Sequence, residues 1–349
     1  MLTKDNFTEE HIRNLQNASH RDPSLLERSV YAFGLLEAIT RVGMPFIFKG
    51  GTCLMLLLDH PMRLSTDIDI IVAPGTDLDA FIDEAGKIFP FLSVEEQVRK
   101  GKNNIEKRHF KFVYESPIGK RSIYILLDVL FEDAKYKRLI TKPIKNELLL
   151  TEGEDLTVTI PSVESILGDK LTALAPHTTG IPLNANKDME IIKQLYDVIT
   201  LIGVAEDFAE VRETYYSLVQ DEIAYRGLDI GPEDALRDTY NAAVSIASRG
   251  KVSKEDYAAY LQGIRDIRSH IYAENFSAEE ASKRVPIVMY LVACLLKNVP
   301  FEKDIDPSDY LGIGFTSDEL KALNSLRKVA PIGYAYAVKS DKLLNEITG

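Results

Sequence analysis

The spacing of apolar and polar positions changes near residue 160. Before it, short apolar runs and alternating segments are separated by stretches with helical spacing. Helical spacing over 24–42 predicts a helix with Ser24 as its N-cap, ended by Gly43. The other predicted helices are 52–59 and 77–91. The runs and alternations predict five strands, at 46–48, 67–73, 91–98, 109–116 and 121–132.

These elements predict an α+β domain over residues 1–160, built on a mixed sheet of about five strands. The segment 116–121 is the predicted hairpin turn, and a short strand at 156–160 is expected to close the sheet. Residues 161–349 show helical periodicity almost throughout and predict a bundle of six or seven helices. No linker rich in proline or serine separates the halves, so we expect them to pack together across a cleft.

Composition places the chain among ordinary globular proteins of the cytoplasm. It has 349 residues, 45% of them hydrophobic, and its start lacks the apolar segment of a signal peptide. The longest apolar run, 285–296, contains a proline and is too short to span a bilayer. Cys53 and Cys294 lie in apolar runs, which predicts buried free thiols and fits a reducing compartment.

Charge is distributed unevenly. The formal net charge is −12, yet residues 99–145 contain 13 Lys and Arg against 5 Asp and Glu, a local excess of +8. A run of charge is most often a solvated face, and His109 within it is expected at the surface. Beside a site that handles phosphate, the same run could contact a nucleic-acid backbone.

A glycine pair, Gly50 and Gly51, directly follows the strand at 46–48. Glycines there let the backbone approach a ligand closely and turn N–H groups toward an anion. The predicted helix that begins at Thr52 adds a hydroxyl and the positive end of its dipole. A plain tight turn explains a glycine pair equally well, so the pair alone does not predict a phosphate site.

Two aspartates strengthen the phosphate hypothesis. Asp67 and Asp69 alternate with Ile68, so a strand would project both carboxylates from one face. Like charges this close repel unless a cation lies between them, and ligands that are all oxygen suit Mg²⁺ or Mn²⁺. Asp128 is a third carboxylate, surrounded by apolar residues in a predicted strand, where an unpaired charge is costly.

Three aspartates near a glycine turn are the arrangement of metal-dependent phosphoryl or nucleotidyl transfer, with Asp128 near the attacking hydroxyl. This hypothesis requires the three carboxyl groups to converge near Thr52. The alternative is that Asp67 and Asp69 are solvated residues of an edge strand.

The stretch "KGGTCLMLLLDHPMRLSTDIDIIV" resembles the signature of the nucleotidyltransferase superfamily, and within it the AbiEii/AbiGii toxin family. The later "ESILGDKLTALAPHTTGIP…KDMEIIKQLYDV" resembles that family's second block, and the two occur in the expected order. The resemblance covers about residues 46–200 and leaves the C-terminal helices unmatched. The matching positions of the first block are Lys49, Gly50, Gly51, Thr52, Leu54, Arg63, Ser65, Asp67, Ile68 and Asp69.

The resemblance implies a polymerase-β-like mixed sheet and roles for individual residues. Gly51 and Thr52 would hold the triphosphate of an NTP, with Lys49 and Gly50 beside them. Arg63 and Ser65 would act there too or only order the loop.

Asp67, Asp69 and Asp128 would bind the metal. Lys170 would reach the nucleotide phosphates, and an acid on the next helix would accompany it. An insertion leaves that acid open between Asp188 and Asp197, with Asp197 favoured because its neighbour Tyr196 is kept.

The resemblance further implies an enzyme that moves an NMP from an NTP to an acceptor hydroxyl. It would be the toxin of a toxin–antitoxin or phage-defence (abortive-infection) pair, with a cognate antitoxin. The acceptor would be tRNA, bound through 99–145. A small molecule or a protein as acceptor, and a catalytically silent homologue that only binds nucleotides, are the alternatives.

Overall fold

The computed structural model describes residues 1–97 and 106–346. The chain divides into two compact units. Unit 1 consists of Met1–Ser162 together with Ser269–Glu274, and unit 2 consists of Val163–Arg268 together with Asn275–Gly349.

Unit 1 combines four helices with two sheets in its described part, besides a short 3₁₀ helix at Lys4–Phe7. The helices are α1 (Glu9–Ser19), α2 (Pro23–Arg41), α3 (Gly50–Leu57) and α4 (Asp79–Ala85). The strands are β1 (Ile47–Lys49), β2 (Ile68–Val72), β3 (Ser93–Glu96), β4 (Lys107–Glu115), β5 (Ser122–Phe131), β6 (Leu139–Pro143) and β7 (Thr157–Pro161).

The main sheet has five strands in the order β1-β2-β5-β4-β3. The β2–β5 pair is parallel and the other neighbours are antiparallel. This mixed sheet confirms the predicted α+β fold. Alternation along β4 buries Phe110, Phe112 and Tyr114, and the Tyr114 ring stacks on Tyr31 of α2 at 3.7 Å between centroids. One face of the sheet is therefore core, and the intervening residues lie on the other face.

The hairpin predicted at 116–121 joins β4 to β5. Ser116 N–H donates to the Arg121 carbonyl at 2.9 Å, and Glu115 pairs with Ser122 where the strands begin. The buried carboxylate of Glu27 on α2 accepts from the Ser116 hydroxyl at 2.9 Å and from the Tyr114 hydroxyl at 3.2 Å. These bonds anchor the turn to α2 and hold the register of the two strands.

The prediction that the strand at 156–160 closes the main sheet was wrong. The corresponding strand, β7, pairs antiparallel with β6 in a separate two-stranded sheet. β6 was not predicted, because it contributes Thr141, Lys142 and Pro143 to a run interpreted as charged surface. Tertiary pairing overrides that weak local signal.

Two helix starts also differ from the predictions. Asp22, not Ser24, caps α2, since its side chain accepts from Leu25 N–H and Pro23 takes the first helical position. α3 begins at Gly50 and not at Thr52, so the glycine pair forms the first turn of the helix.

The described part of unit 2 is helical. Its α-helices are α5 (Val163–Ala173), α6 (Asp188–Val204), α7 (Phe208–Arg226), α8 (Pro232–Ala247), α9 (Lys254–Asp266), α10 (Ala278–Arg284), α11 (Pro286–Lys297), α12 (Leu326–Val329) and α13 (Pro331–Asn345). The run at 285–296 forms most of α11 and is buried, as predicted. Cys53 and Cys294 are both buried free thiols, also as predicted. Within the described ranges, the structure contains no helix with the length and apolarity needed to cross a membrane.

The helical pattern over 254–272 was misleading at its end. α9 stops at Asp266, and the segment Ser269–Glu274 belongs to unit 1. Leu64 N–H donates to the His270 carbonyl at 2.7 Å, and Arg63 forms an antiparallel bridge with Ile271. These long-range backbone bonds outweigh the local helical preference. The described part of unit 2 forms nine α-helices, more than the six or seven predicted.

Candidate active site

Four polar residues lie in direct register across the main sheet of unit 1. Lys49 on β1 is opposite Asp69 on β2, Asp69 is opposite Asp128 on β5, and Asp128 is opposite His109 on β4. Residues opposite one another on paired strands share a face of the sheet. We call these four residues the charged row. Their apolar neighbours along the strands, among them Ile68, Ile70, Leu127, Val129 and Phe110, are buried.

Gly50 leaves room for the Asp69 carboxylate. A Cβ atom at Gly50 would lie 2.0 Å from Asp69 Oδ2, and its φ of +81° is in the region that favours glycine. The first glycine of the pair is therefore required both by its backbone conformation and by the carboxylate beside it.

Gly51 has a different neighbourhood. A Cβ there would lie 2.7 Å from both Arg63 Nη2 and Ser65 Oγ. Arg63 is buried, and its backbone bridges to Ile271. The structure thus brings Arg63 and Ser65 against the first turn of α3, as the shared motif predicts, and no side chain at Gly51 could be accommodated without moving them.

The Thr52 hydroxyl is used inside the protein. It is fully buried and donates to the Asp67 carbonyl at 2.6 Å. This bond ties the start of α3 to the residue that precedes β2, and it holds the aspartate pair next to the glycine pair.

Asp67 lies just before β2 and is half exposed. Its Oδ1 is 3.6 Å from Arg28 Nη2 on α2, with side chains 46% and 34% exposed respectively. Arg28 was not among the predicted site residues. An ion pair this exposed contributes only ~0–1 kcal/mol, so a ligand could displace it at little cost.

Asp128 is paired with a histidine. His109 Nδ1 is 2.5 Å from Asp128 Oδ1, and the two side chains are 14% and 31% exposed. The prediction that His109 is a surface residue was therefore wrong. The sequence did contain a signal for this contact. If the predicted hairpin at 116–121 is extended one residue at a time along both strands, residue 109 falls opposite residue 128.

The convergence of three carboxyl groups near Thr52, which the metal-site hypothesis requires, is not present among the described residues. Across residues 1–97 and 106–346, no three His, Cys, Asp or Glu side chains are grouped closely enough to hold a metal ion. The register places Asp69 and Asp128 side by side, but Asp67 turns to Arg28 and Asp128 turns to His109. All the candidate donors are nevertheless carboxylate oxygens, which match the ligand chemistry of Mg²⁺ or Mn²⁺.

Lys49 and the basic region have partners of their own. Lys49 Nζ lies 5.8 Å from the centroid of the Tyr136 ring. Arg108 makes ion pairs of 2.8 Å with Asp79 and with Glu96, and its hydrogen bond lowers the pKa of the Glu96 carboxyl. The predicted basic segment at 99–105 lies outside the described residues.

In unit 2, the residues of the second sequence block form a buried ion pair. Lys170 Nζ on α5 is 3.0 Å from Asp197 Oδ2 on α6 and 3.1 Å from Gln194 Oε1. The side chains of Lys170 and Asp197 are 11% and 2% exposed. Asp188, the other acid left open by the sequence, is the first residue of α6. Of the two acids, the structure pairs Asp197 with Lys170.

The insertion between α5 and α6 is hydrogen-bonded to acidic residues of two other helices. Asp238 on α8 accepts from the His177 backbone N–H and from the Thr178 hydroxyl, both at 2.8 Å. His177 Nε2 lies 3.1 Å from Asp256 Oδ2 on α9. His177 is therefore bonded to α8 through its backbone and to α9 through its ring.

Unit 2 also contains a cavity of about 450 Å³. Phe208, Arg212, Leu291 and Phe301 are among its lining residues, and none of the predicted site residues lines it. The cavity is therefore separate from the predicted site, whose carboxylates lie on the main sheet of unit 1.

The mixed sheet, the glycine pair that starts a helix, and the opposed aspartates are the features that the first sequence block predicted together. The sequence matches the family described as "Nucleotidyl transferase AbiEii toxin, Type IV TA system" over residues 35–278, more than half of the chain. The chain belongs to this family, and it is a nucleotidyltransferase of the toxin class. Membership of a toxin–antitoxin family implies a cognate antitoxin.

Three solved structures are similar to this chain. The protein JHP933 from Helicobacter pylori has 14% identity and a TM-score of 0.46, covering 78% of this chain and 94% of its own. A putative nucleotidyltransferase from H. pylori has 15% identity and a TM-score of 0.47, covering 79% and 99%.

An antigenic nucleotidyltransferase-like protein from Paracoccidioides brasiliensis has 17% identity and a TM-score of 0.36, covering 58% and 93%. With TM-scores below 0.5, these similarities carry no part of the assignment. No curated protein matches the sequence.

Proposed function

We propose that this protein transfers a nucleoside monophosphate from an NTP to an acceptor hydroxyl on tRNA, using Mg²⁺ or Mn²⁺. The hydroxyl oxygen forms a bond to the α-phosphorus, the bond to the pyrophosphate breaks, and the hydroxyl proton is released to water. The observation that carries the proposal is the register of Asp69 and Asp128 on parallel neighbouring strands, beside the glycine pair that begins α3.

The chain's own residues support a divalent cation at this site. Asp69 and Asp128 bring two carboxylates side by side on one face of the sheet, with Asp67 two residues upstream, and carboxylate oxygens are ligands that a divalent cation favours. Asp67, Asp69 and Asp128 would hold it. Such a metal stabilises the charge that develops on the phosphates during transfer.

The start of α3 would receive the triphosphate. Gly50 and Gly51 expose backbone in the first helical turn, where unpaired N–H groups and the helix dipole favour an anion. Thr52 would act through the hydrogen bond from its hydroxyl to the Asp67 carbonyl. This bond holds the start of α3, proposed to bind the triphosphate, next to the aspartates proposed to bind the metal. Lys49, Arg63 and Ser65 border the same turn.

The acceptor is proposed from charge and family. The excess of +8 over 99–145 stands against a net charge of −12 for the whole chain. A polyanionic acceptor such as tRNA is the class of molecule that such a region attracts. The proposed roles of Lys170 and Asp197 in nucleotide binding stay predictions.

The test is incubation of the purified protein with each α-³²P-labelled NTP, Mg²⁺ or Mn²⁺ and total tRNA. We expect label on tRNA and its loss in Asp69→Asn and Asp128→Asn. Since a catalytic metal is worth several kcal/mol and each ~1.4 kcal/mol is tenfold in rate, the loss should be about 10²–10⁴-fold.

Glu154→Gln is the matched control, because Glu154 is an exposed acid between β6 and β7 and lies outside both the charged row and residues 99–145. It should retain full activity. Label on a protein or on a small molecule instead of tRNA would show that tRNA is not the acceptor. The absence of transfer to any acceptor, with every NTP tested, would overturn the proposed function.

A further inference from the structure

His109 was not predicted to take part in the site, and nothing in the family motif assigns it a role. The antiparallel pairing of β4 with β5 places it directly opposite Asp128. Strand alternation points Phe110 and Phe112 into the core and leaves His109 on the face of the charged row.

The contact between the two residues is specific. His109 Nδ1 and Asp128 Oδ1 are 2.5 Å apart. Within the described part of the chain, this is the one hydrogen bond or ion pair of the Asp128 carboxylate. For an ionised carboxylate to accept this bond, Nδ1 must carry the proton, which fixes the role of that ring nitrogen.

The bond also has a consequence for the second oxygen. It engages Oδ1 and so restrains rotation of the Asp128 carboxylate, while Oδ2 takes no part in that bond. A flexible aspartate would lose entropy when a cation bound, whereas one already oriented by a histidine loses less.

We propose that His109 is a positioning residue that orients the Asp128 carboxylate for a divalent cation through its Nδ1–H. The proposal rests on the proposed function, because it takes Asp128 to be a metal ligand. Removing a residue that orients a metal ligand typically lowers metal affinity or activity about 10–100-fold.

The experiment measures Mn²⁺ affinity of the full chain by electron paramagnetic resonance, alongside nucleotidyl transfer and thermal unfolding. Three variants are compared with wild type: His109→Ala, His109→Asn and His60→Ala. Asn keeps an N–H donor near the position of Nδ1 and lacks Nε2. His60 is the matched control, because it makes an exposed 3.1 Å contact with Glu147 in the same unit.

We expect His109→Ala to weaken Mn²⁺ binding about 10–100-fold and to lower kcat more than it raises KM for the NTP. His109→Asn should recover most of both, and His60→Ala should match wild type. A purely structural role would instead lower the unfolding temperature of His109→Ala without changing the Mn²⁺ affinity of the folded protein.

The proposal is overturned if His109→Ala binds Mn²⁺ and turns over like wild type, or if His109→Asn is as impaired as His109→Ala. The Asp128→Asn variant separates this outcome from failure of the proposed function. If Asp128→Asn abolishes transfer while His109→Ala does not, only the role of His109 is wrong. If wild type neither binds Mn²⁺ nor transfers a nucleotide, the proposed function fails as well.

Discussion

The two units use aspartate in opposite ways. In unit 1, Asp67 and Asp128 are 46% and 31% exposed, and they pair with Arg28 and His109 respectively. In unit 2, Asp197 is 2% exposed and bonds Lys170, which also bonds Gln194. The carboxylates of unit 1 are partly accessible to a ligand, whereas the Asp197 carboxylate of unit 2 is engaged in buried contacts inside the protein.

Burial explains why the difference matters energetically. An exposed pair gains little because water already solvates both charges. A buried pair gains no more in net terms, but removal of one partner leaves a charge without solvent or counter-ion. Changes in the charged row should therefore act on activity, and changes in the buried pair should act on stability.

The largest effect on stability should come from Lys170→Met. It removes the cation that lies 3.0 Å from the buried Asp197 carboxylate, and breaking a buried ion pair typically costs about 3–5 kcal/mol in free energy of unfolding. Urea denaturation would measure this cost. Asp128→Asn, which changes a half-exposed residue, should cost less than ~1 kcal/mol.

A double variant, Lys170→Met with Asp197→Leu, serves as the control for this comparison. Removing both charges should recover much of the loss, and the double-mutant cycle gives the coupling energy of the pair. A cost of less than ~1 kcal/mol for Lys170→Met alone would contradict the idea that the pair is committed to the fold.

The next effect concerns the glycine beside the charged row. Gly50→Ala places a Cβ 2.0 Å from Asp69 Oδ2 at a φ of +81°. Gly75→Ala is the matched control, with a φ of +78° and nothing within 4 Å of its Cβ. Both should lose about 1–2 kcal/mol of stability through backbone strain.

Only Gly50→Ala should in addition lose nucleotidyl transfer, because it displaces the Asp69 carboxylate. The readouts are urea denaturation and labelled-NTP transfer for both variants. Equal transfer by Gly50→Ala and Gly75→Ala would show that the position of Asp69 is not critical.

The smallest effect is a pH dependence in unit 2. Burial raises the pKa of Asp238 above its usual value, although hydrogen bonds from Thr178 and His177 act the other way. A carboxyl whose folded pKa is raised favours the fold below its unfolded pKa, and this contribution is lost as pH rises through the folded pKa.

Wild type should therefore lose stability relative to Asp238→Asn as pH rises from about the unfolded value of 3.8 toward neutrality. Denaturation at a series of pH values measures this difference. Asp229→Asn, an exposed acid in the α7–α8 connection, should show no such trend. A difference that grows in the opposite direction would mean that the hydrogen bonds outweigh burial.

Much of unit 1 could be predicted because its signals are local. Alternation of Asp69 with Ile68 and Ile70 is enough to place that carboxylate opposite the core. The hairpin at 116–121 determines the pairing of β4 with β5, so the contact of His109 with Asp128 was available from the sequence. It was missed because the charge of the surrounding run favoured a surface interpretation.

Other features could not be predicted from local signals. The parallel pairing that brings Asp69 to Asp128 joins strands separated by β3, β4 and α4. The bond from α2 to Asp67 through Arg28, and the return of Ser269–Glu274 to unit 1, also join residues far apart in the chain. No period or propensity encodes such contacts.

The sequence by itself determined which residues are the candidates for the chemistry: the glycine pair, the aspartates and the lysine of the second block. Their residue types and their spacing along the chain are read from short stretches of sequence and do not depend on the fold. Only the tertiary structure decided their states, with Asp128 held by His109 and Asp197 chosen over Asp188 as the partner of Lys170. Burial and pairing arise when distant segments pack, and these set whether a charge is accessible to a ligand or committed to the fold.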